Sequence, residues 1–186
     1  MDSITQITDW LKILGGGSNS AFTLVNTISV IAGFLTLFIA FIRLTKHGKA
    51  QKMFRYYAPS TTFFMFFSGV MLISMSGFVQ MVVATIFPDA HMDNINQISS
   101  YIQSINNDPD NVPMAQQYLV FALLNVVGFI SLIRGTFLMI NMSEGQREGN
   151  VPQIISHMVA GVIGMNAEFF LNIFGNLYAT TNVFIH

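Results

Sequence analysis

Four long apolar blocks constrain this sequence more than any other feature. They cover residues 21–43, 61–87, 117–141 and 153–179. Each block is long enough for a helix of about 20 residues, which crosses a hydrocarbon layer of about 30 Å. Only 9% of the 186 residues are charged and 52% are hydrophobic, which is far from an average soluble domain. The sequence therefore predicts an all-α, polytopic membrane protein with four transmembrane helices.

A short amphipathic segment precedes each pair of apolar blocks. In both segments apolar side chains recur every three or four residues, so they share one face of a helix. Segment 2–14 runs into the glycines at 15–17, which predict a flexible hinge, and segment 94–105 runs into turn-forming residues. We expect both helices to lie at the outer membrane face, against lipid or a neighbouring subunit. The stripe residues are Ile4, Ile7, Trp10, Leu11, Ile95, Ile98, Ile102 and Ile105.

The order of these segments indicates an internal duplication. Residues 2–14 lie over residues 93–105 without a gap, with Asp, Ile, Gln and Ile in common. Further along, 33–38 matches 128–133, and 68–71 matches 160–163. The sequence therefore predicts two tandem repeats, 1–88 and 89–186, each an interfacial helix followed by a hairpin of two spans. Since each repeat has an even number of spans, both have the same orientation in the membrane.

Charge in the loops predicts the topology. The loop at 43–55 contains five basic residues and no acid, whereas 89–116 contains four Asp and no Lys or Arg. By the positive-inside rule the basic loop is cytoplasmic, so both termini face outward, into the periplasm of a Gram-negative bacterium. Binding of phospholipid or nucleic acid by the same cluster is a weaker interpretation, and no nucleic-acid partner is expected. The basic residues are Arg43, Lys46, Lys49, Lys52 and Arg55.

Two charged residues lie within predicted spans, Arg134 in the third and Glu168 in the fourth. A charge at the centre of a spanning helix costs at least about 2.5 kcal/mol, so Glu168 must face protein or water. Helix rise places the two backbones about 10 Å apart in depth, which leaves an ion pair feasible within or between subunits. Small and polar residues nearby predict a face for helix packing and assembly: Gly128, Ser131, Gly135, His157, Gly161, Gly164, Asn172 and Gly175.

Sequence features of enzymes are weak here. The chain has no cysteine, and phosphate-binding loops and nucleophile motifs are absent from its sequence. His157 and Glu168 are separated by about 16 Å of helix, too far to share a proton or a metal ion. Asp89, His91 and Asp93 form a poor metal site, because one His and scattered Asp on a loop lack ligand spacing. We expect no catalysis, no cofactor, no metal and no small-molecule substrate.

Several short motifs in the second half carry a family resemblance. They are Ile133-Arg134-Gly135, Ser143-Glu144-Gly145, His157-Met158-Val159-Ala160-Gly161 and Asn166. On these residues, mainly across 117–178, the chain resembles the small polytopic inner-membrane proteins of the Dot/Icm type IVB secretion system and related conjugation systems (the DotE/IcmC, DotV and TraQ group). The resemblance implies a structural subunit of a translocation complex, in contact with lipids and other secretion-system membrane subunits, and no catalytic residues.

An independent small transporter or ion channel is the alternative function. It would use Arg134 and Glu168 as part of a proton or ion relay. Transporter sites are typically built at discontinuous helices, and no span shows an evident Gly or Pro interruption of that kind. The sequence therefore favours an assembling subunit of a homo- or hetero-oligomeric inner-membrane complex.

The topology is testable by cysteine labelling, since the chain has no native cysteine. We expect single cysteines at Ser18 and Ser100 to react with a membrane-impermeant thiol reagent in intact cells. A cysteine at Lys49 should react only after the membrane is permeabilised. Labelling at Lys49 but not at Ser100 in intact cells would overturn the predicted orientation.

Overall fold

The computed structural model describes residues 3–47, 59–86, 97–108, 110–144 and 150–183. Within these ranges every regular element is helical, which confirms the all-α prediction. A π-helical turn, Lys12–Gly16, follows the first helix. The helices are α1 (Ser3–Leu11), α2 (Ala21–His47), α3 (Pro59–Ile73), α4 (Met75–Ile86), α5 (Ile98–Asn107), α6 (Val112–Ser143), α7 (Val151–Met165) and α8 (Ala167–Val183).

Two stretches of the described chain are long and apolar enough to cross a membrane as single helices. They are Ser3–Lys46, which includes α2 up to its penultimate residue, and Val112–Ser143, which is α6. Two further stretches qualify only as bent pairs: α3 and α4 meet at 93°, and α7 and α8 at 81°. By length and composition the described residues thus contain two candidate spans, or up to four if each bent pair is one span. The predicted four-span layout is not confirmed, because the blocks at 61–87 and 153–179 are each bent between two helices rather than formed by one continuous helix.

The bends occur at Ser74 and Asn166, which belong to the residue types that favour the first position of a helix. Each begins a new helical segment: Phe78 N donates to Ser74 O at 2.9 Å, and Phe170 N donates to Asn166 O at 3.1 Å. The Asn166 side chain does not cap α8, because its amide donates back to Val162 O of α7 at 2.8 Å and its Oδ1 has no partner among the described residues.

Each bend is accompanied by a hydrogen bond from the long helix beside it. The Ser29 hydroxyl of α2 donates to Leu72 O at 3.0 Å, and the Asn125 amide of α6 donates to Met165 O at 3.0 Å. Carbonyl groups near a helix end lack their usual partners, and an unsatisfied one in hydrocarbon costs several kcal/mol. Ser29 and Asn125 remove that cost for one carbonyl at each bend.

Glycines set the two closest helix crossings. A Cβ atom at position 33 of α2 would lie 2.9 Å from Gly69 O of α3. One at position 128 of α6 would lie 2.8 Å from Gly161 O of α7. Both distances are too short for a methyl group, so only glycine lets the backbones approach this closely. The α2–α3 and α6–α7 hairpins are therefore each packed around a glycine pair.

Helices α1 and α5 exist as predicted, but their apolar stripes face the interior of the chain. Ile7, Leu11, Ile98 and Ile105 are buried in one cluster with residues of α6, including Phe121. The expectation that these stripes cover lipid or a neighbouring subunit is wrong for the buried residues, because each helix has an apolar neighbour within the chain.

The remaining stripe residues are less enclosed. Ile4 and Ile102 are half-buried, and Trp10 is exposed. Ile95 lies outside the described residues. At the glycines, where a hinge was predicted, the chain instead stays helical through Gly16. The Ile102 side chain packs against Gly16 in the space that a Cβ atom would need.

Gly128 and Gly175 provide a matched test of the close crossing. A Cβ at 128 would lie 2.7 Å from Met165 N, whereas one at 175 meets nothing within 4 Å. We expect Gly128→Ala to lower the unfolding free energy in detergent by about 1–3 kcal/mol through overpacking. Gly175→Ala should leave thermal stability unchanged or slightly raised. Equal stability of the two variants would contradict the crossing.

Candidate functional site: charged and polar residues around α6

Arg134 lies on an exposed face of α6, surrounded by apolar side chains. Val127, Ile130 and Phe137 are 61%, 47% and 39% exposed and recur with Arg134 at spacings of three and four residues. We refer to Val127, Ile130, Arg134 and Phe137 as the α6 stripe. The described residues form two ion pairs, Lys12–Asp9 and Arg43–Glu144. Neither of them involves Arg134. A cation on a helix that is long and apolar enough to cross a membrane thus faces outward from its own chain.

Glu168 lies in the first turn of α8 and is half-buried. It neighbours Tyr101 of α5, whose hydroxyl donates to Gln97 Oε1 at 2.8 Å and whose ring stacks on Tyr118 at 4.7 Å. Burial, and then the nearby Glu168 carboxylate, raise the pKa of Tyr101 well above its ordinary value. The hydroxyl therefore stays protonated, and Glu168 faces protein at the contact between α5 and α8.

Arg134 and Glu168 lie at different depths. Asn125 of α6 is level with Met165, through the side-chain hydrogen bond at the bend, and Ser131 is level with His157, whose carbonyl accepts from Ser131 Oγ at 3.0 Å. Glu168 is three residues beyond Met165, just past the bend, whereas Arg134 is nine residues beyond Asn125, or about 14 Å along the axis of α6. On this register the separation along the helix axis is about 14 Å, compared with the about 10 Å predicted from the sequence.

The predicted small-residue face serves mainly to join α6 and α7 within the chain. Gly128, Gly135 and Gly161 are buried between the two helices. Ser131, His157 and Gly164 are half-buried along the same seam, while Asn172 and Gly175 of α8 are exposed.

In the described ranges, no group of three or more His, Cys, Asp or Glu side chains could hold a metal ion.

One ion pair was missed by sequence reasoning. Arg43 Nη2 and Glu144 Oε1 are 2.5 Å apart, with side chains only 18% and 14% exposed. The pair joins the end of α2 to the end of α6, and Thr61 Oγ1 of α3 donates to Ser143 O nearby at 2.8 Å. The sequence assigned Arg43 only to the basic loop. The sequence feature that could have indicated this pair is an acid, Glu144, directly after one apolar block and a base, Arg43, at the end of another.

The rest of the basic loop is only partly described. Lys46 is exposed at the end of α2, and Lys49, Lys52 and Arg55 lie outside the described residues. The positive-inside assignment therefore rests on the sequence.

Comparison with protein-family models, curated proteins and solved structures finds no significant match to this chain.

The Arg43–Glu144 pair is expected to couple energetically. Arg43→Leu and Glu144→Leu should each lower thermal stability, because each leaves a largely buried charge without its partner. The double variant should lose less than the sum, with a coupling of about 0.5–3 kcal/mol. The exposed Lys12–Asp9 pair, at 3.4 Å, is the control and should show no measurable coupling. Additive losses at Arg43 and Glu144 would contradict the pairing.

Arg134 and Glu168 are expected to behave as independent sites. Stability effects of Arg134→Leu and Glu168→Leu should add within about 0.5 kcal/mol, as for residues without shared contacts. Thermal unfolding of the two single variants and the double variant measures this. A double variant more stable than either single variant would show that the two charges pair.

Proposed function

We propose that this chain is a structural subunit of an oligomeric complex in the bacterial inner membrane. In this proposal four spans form two tandem hairpins, which assemble around or beside a translocation channel of the type IVB secretion and conjugation kind. The main observation behind this proposal is the environment of Arg134. It is an exposed cation on an apolar helix face, without an ion-pair partner among the described residues. A self-contained protein would bear the cost of that charge in lipid, about 2.5–3.5 kcal/mol at a helix centre.

Corresponding features in the two hairpins support the tandem arrangement. The glycine pair Gly33–Gly69 holds α2 against α3, and Gly128–Gly161 holds α6 against α7. The bends at Ser74 and Asn166 are 92 positions apart, the same offset as between the aligned stretches 68–71 and 160–163. On this basis each bent pair is one interrupted span of its repeat.

Large exposed apolar surfaces support a membrane assembly in contact with lipids and other subunits. On α2 the exposed side chains occupy several sides of the helix rather than one narrow stripe, consistent with contact to hydrocarbon over much of its length. They include Leu24, Ile28, Ile31, Phe34, Leu35, Phe38 and Phe41. The cytoplasmic ends of the hairpins are joined at Arg43 and Glu144 in the proposed topology.

A small ion transporter is the second candidate, because the bends supply the discontinuous helices that the sequence did not indicate. Asn166, at one bend, is fully buried, and its Oδ1 atom has no hydrogen-bond partner among the described residues. Glu168 follows two residues later. In proteoliposomes this function predicts ion flux that Glu168→Gln abolishes without disturbing assembly, whereas a structural subunit predicts no flux from the purified chain.

The subunit proposal is tested with Arg134→Leu in native membranes. After extraction in mild detergent, native mass spectrometry should find the wild-type chain in a larger complex. Arg134→Leu should reduce the assembled fraction at least tenfold, which corresponds to about 1.4 kcal/mol. Its thermal stability as an isolated chain should be unchanged, since Arg134 makes no ion pair with the residues that the structure describes.

Lys46→Leu is the control for this experiment, because Lys46 is an exposed cation at the end of a helix rather than on the α6 stripe. It should leave assembly intact. A wild-type chain recovered alone under all mild conditions, or an Arg134→Leu chain that assembles normally, would contradict the proposal.

A further inference from the structure

The α6 stripe has the dimensions of a helix-docking surface. Its four residues span three turns of α6, and the three apolar ones are all more than a third exposed. Side chains at this spacing form the ridges that pack into grooves of a neighbouring helix. Arg134 interrupts the ridge with a fixed positive charge, so the chemistry of the stripe is specific rather than merely apolar.

A second copy of this chain does not supply the counter-charge. Copies inserted with the same topology place each residue at the same depth. Across 21–47, 59–86, 112–143 and 151–183 the sequence contains one carboxylate, Glu168. It lies near the level of Met165 and Asn125, about 14 Å toward the outer face from Arg134.

A lipid phosphate on the cytoplasmic side is also a poor fit. Glu144, paired with Arg43 at the end of α6, is ten residues beyond Arg134, or about 15 Å along the axis. Side chains on a helix tilt toward its N-terminus, which for α6 is away from the cytoplasmic headgroups. The Arg134 guanidinium would have to turn back along the helix to reach them.

We propose that the α6 stripe docks a transmembrane helix of a different protein, which carries an Asp or Glu at the depth of Arg134. The carboxylate accepts two parallel N–H bonds from the guanidinium, and the flanking apolar residues exclude lipid from the pair. This inference rests on the proposed function, but the two can be distinguished by experiment. A complex made only of copies of this chain would agree with the proposed function and contradict the inference.

The test uses a co-expressed probe helix of Leu and Ala with a single Glu. Lys residues at its cytoplasmic end fix its orientation. Three versions are compared: Glu in the cytoplasmic half, Gln at the same position, and Glu in the outer half. The full-length chain is purified in mild detergent, and the co-purified probe is quantified by mass spectrometry.

We expect the version with Glu in the cytoplasmic half to co-purify at least tenfold more than either of the others. That preference should disappear in Arg134→Leu, persist partly in Arg134→Lys, and be unchanged in Lys46→Leu. Equal recovery of the Glu and Gln probes would overturn the inference. So would loss of the Glu preference when phosphatidylglycerol is added, which would identify a lipid phosphate as the occupant. Assembly of copies joined through the α6 stripe would overturn it in favour of a homo-oligomer.

Discussion

The cost of an unsatisfied polar group in hydrocarbon governs this fold. Backbone groups freed at a helix bend and charges within a span must find partners that water cannot provide. The chain meets this requirement with individual polar side chains beside the bends and at the helix ends. Ser29 and Asn125 donate to carbonyls beside the two bends, and Glu144 receives Arg43 where the long helices end. Arg134 is the exception, and its exposure on an apolar helix face is the observation on which the proposed assembly rests.

Close packing at glycine pairs makes the rest of the arrangement possible. When α6 and α7 meet at Gly128 and Gly161, Asn125 comes within hydrogen-bonding distance of the bend at Met165. The same relation holds at Gly33 and Gly69 in the first hairpin. Helices α1 and α5 then bury their stripes against α6 and against each other, which brings Tyr101 beside Glu168. Glu168 is therefore accommodated within the chain, in contrast to Arg134.

Local patterns were sufficient for the features that depend on local sequence. Apolar block length predicted the helices, and spacing of three and four residues predicted that Ile7, Leu11, Ile98 and Ile105 share faces. The bends were missed because Ser74 and Asn166 are neither Gly nor Pro, although both are residue types that begin helices. The Arg43–Glu144 pair was missed because it joins residues 101 positions apart and depends on how the hairpins align. The depth of Arg134 relative to Glu168 depends on the register of α6 against α7, which the Asn125–Met165 hydrogen bond sets and which block lengths could not predict. Membrane orientation, the secretion-system relationship and the oligomer stay predictions.

Site-specific photocrosslinking in native membranes tests the central claim most directly, namely that Arg134 faces another protein. A photoreactive residue is placed at Val127 on the α6 stripe, with Ile28 on the exposed face of α2 as the comparison site. We expect Val127 to crosslink to one different protein, identified by mass spectrometry, and Arg134→Leu to abolish that product. Ile28 should crosslink mainly to lipid. Crosslinks from Val127 only to lipid or to a second copy of the chain would contradict the account.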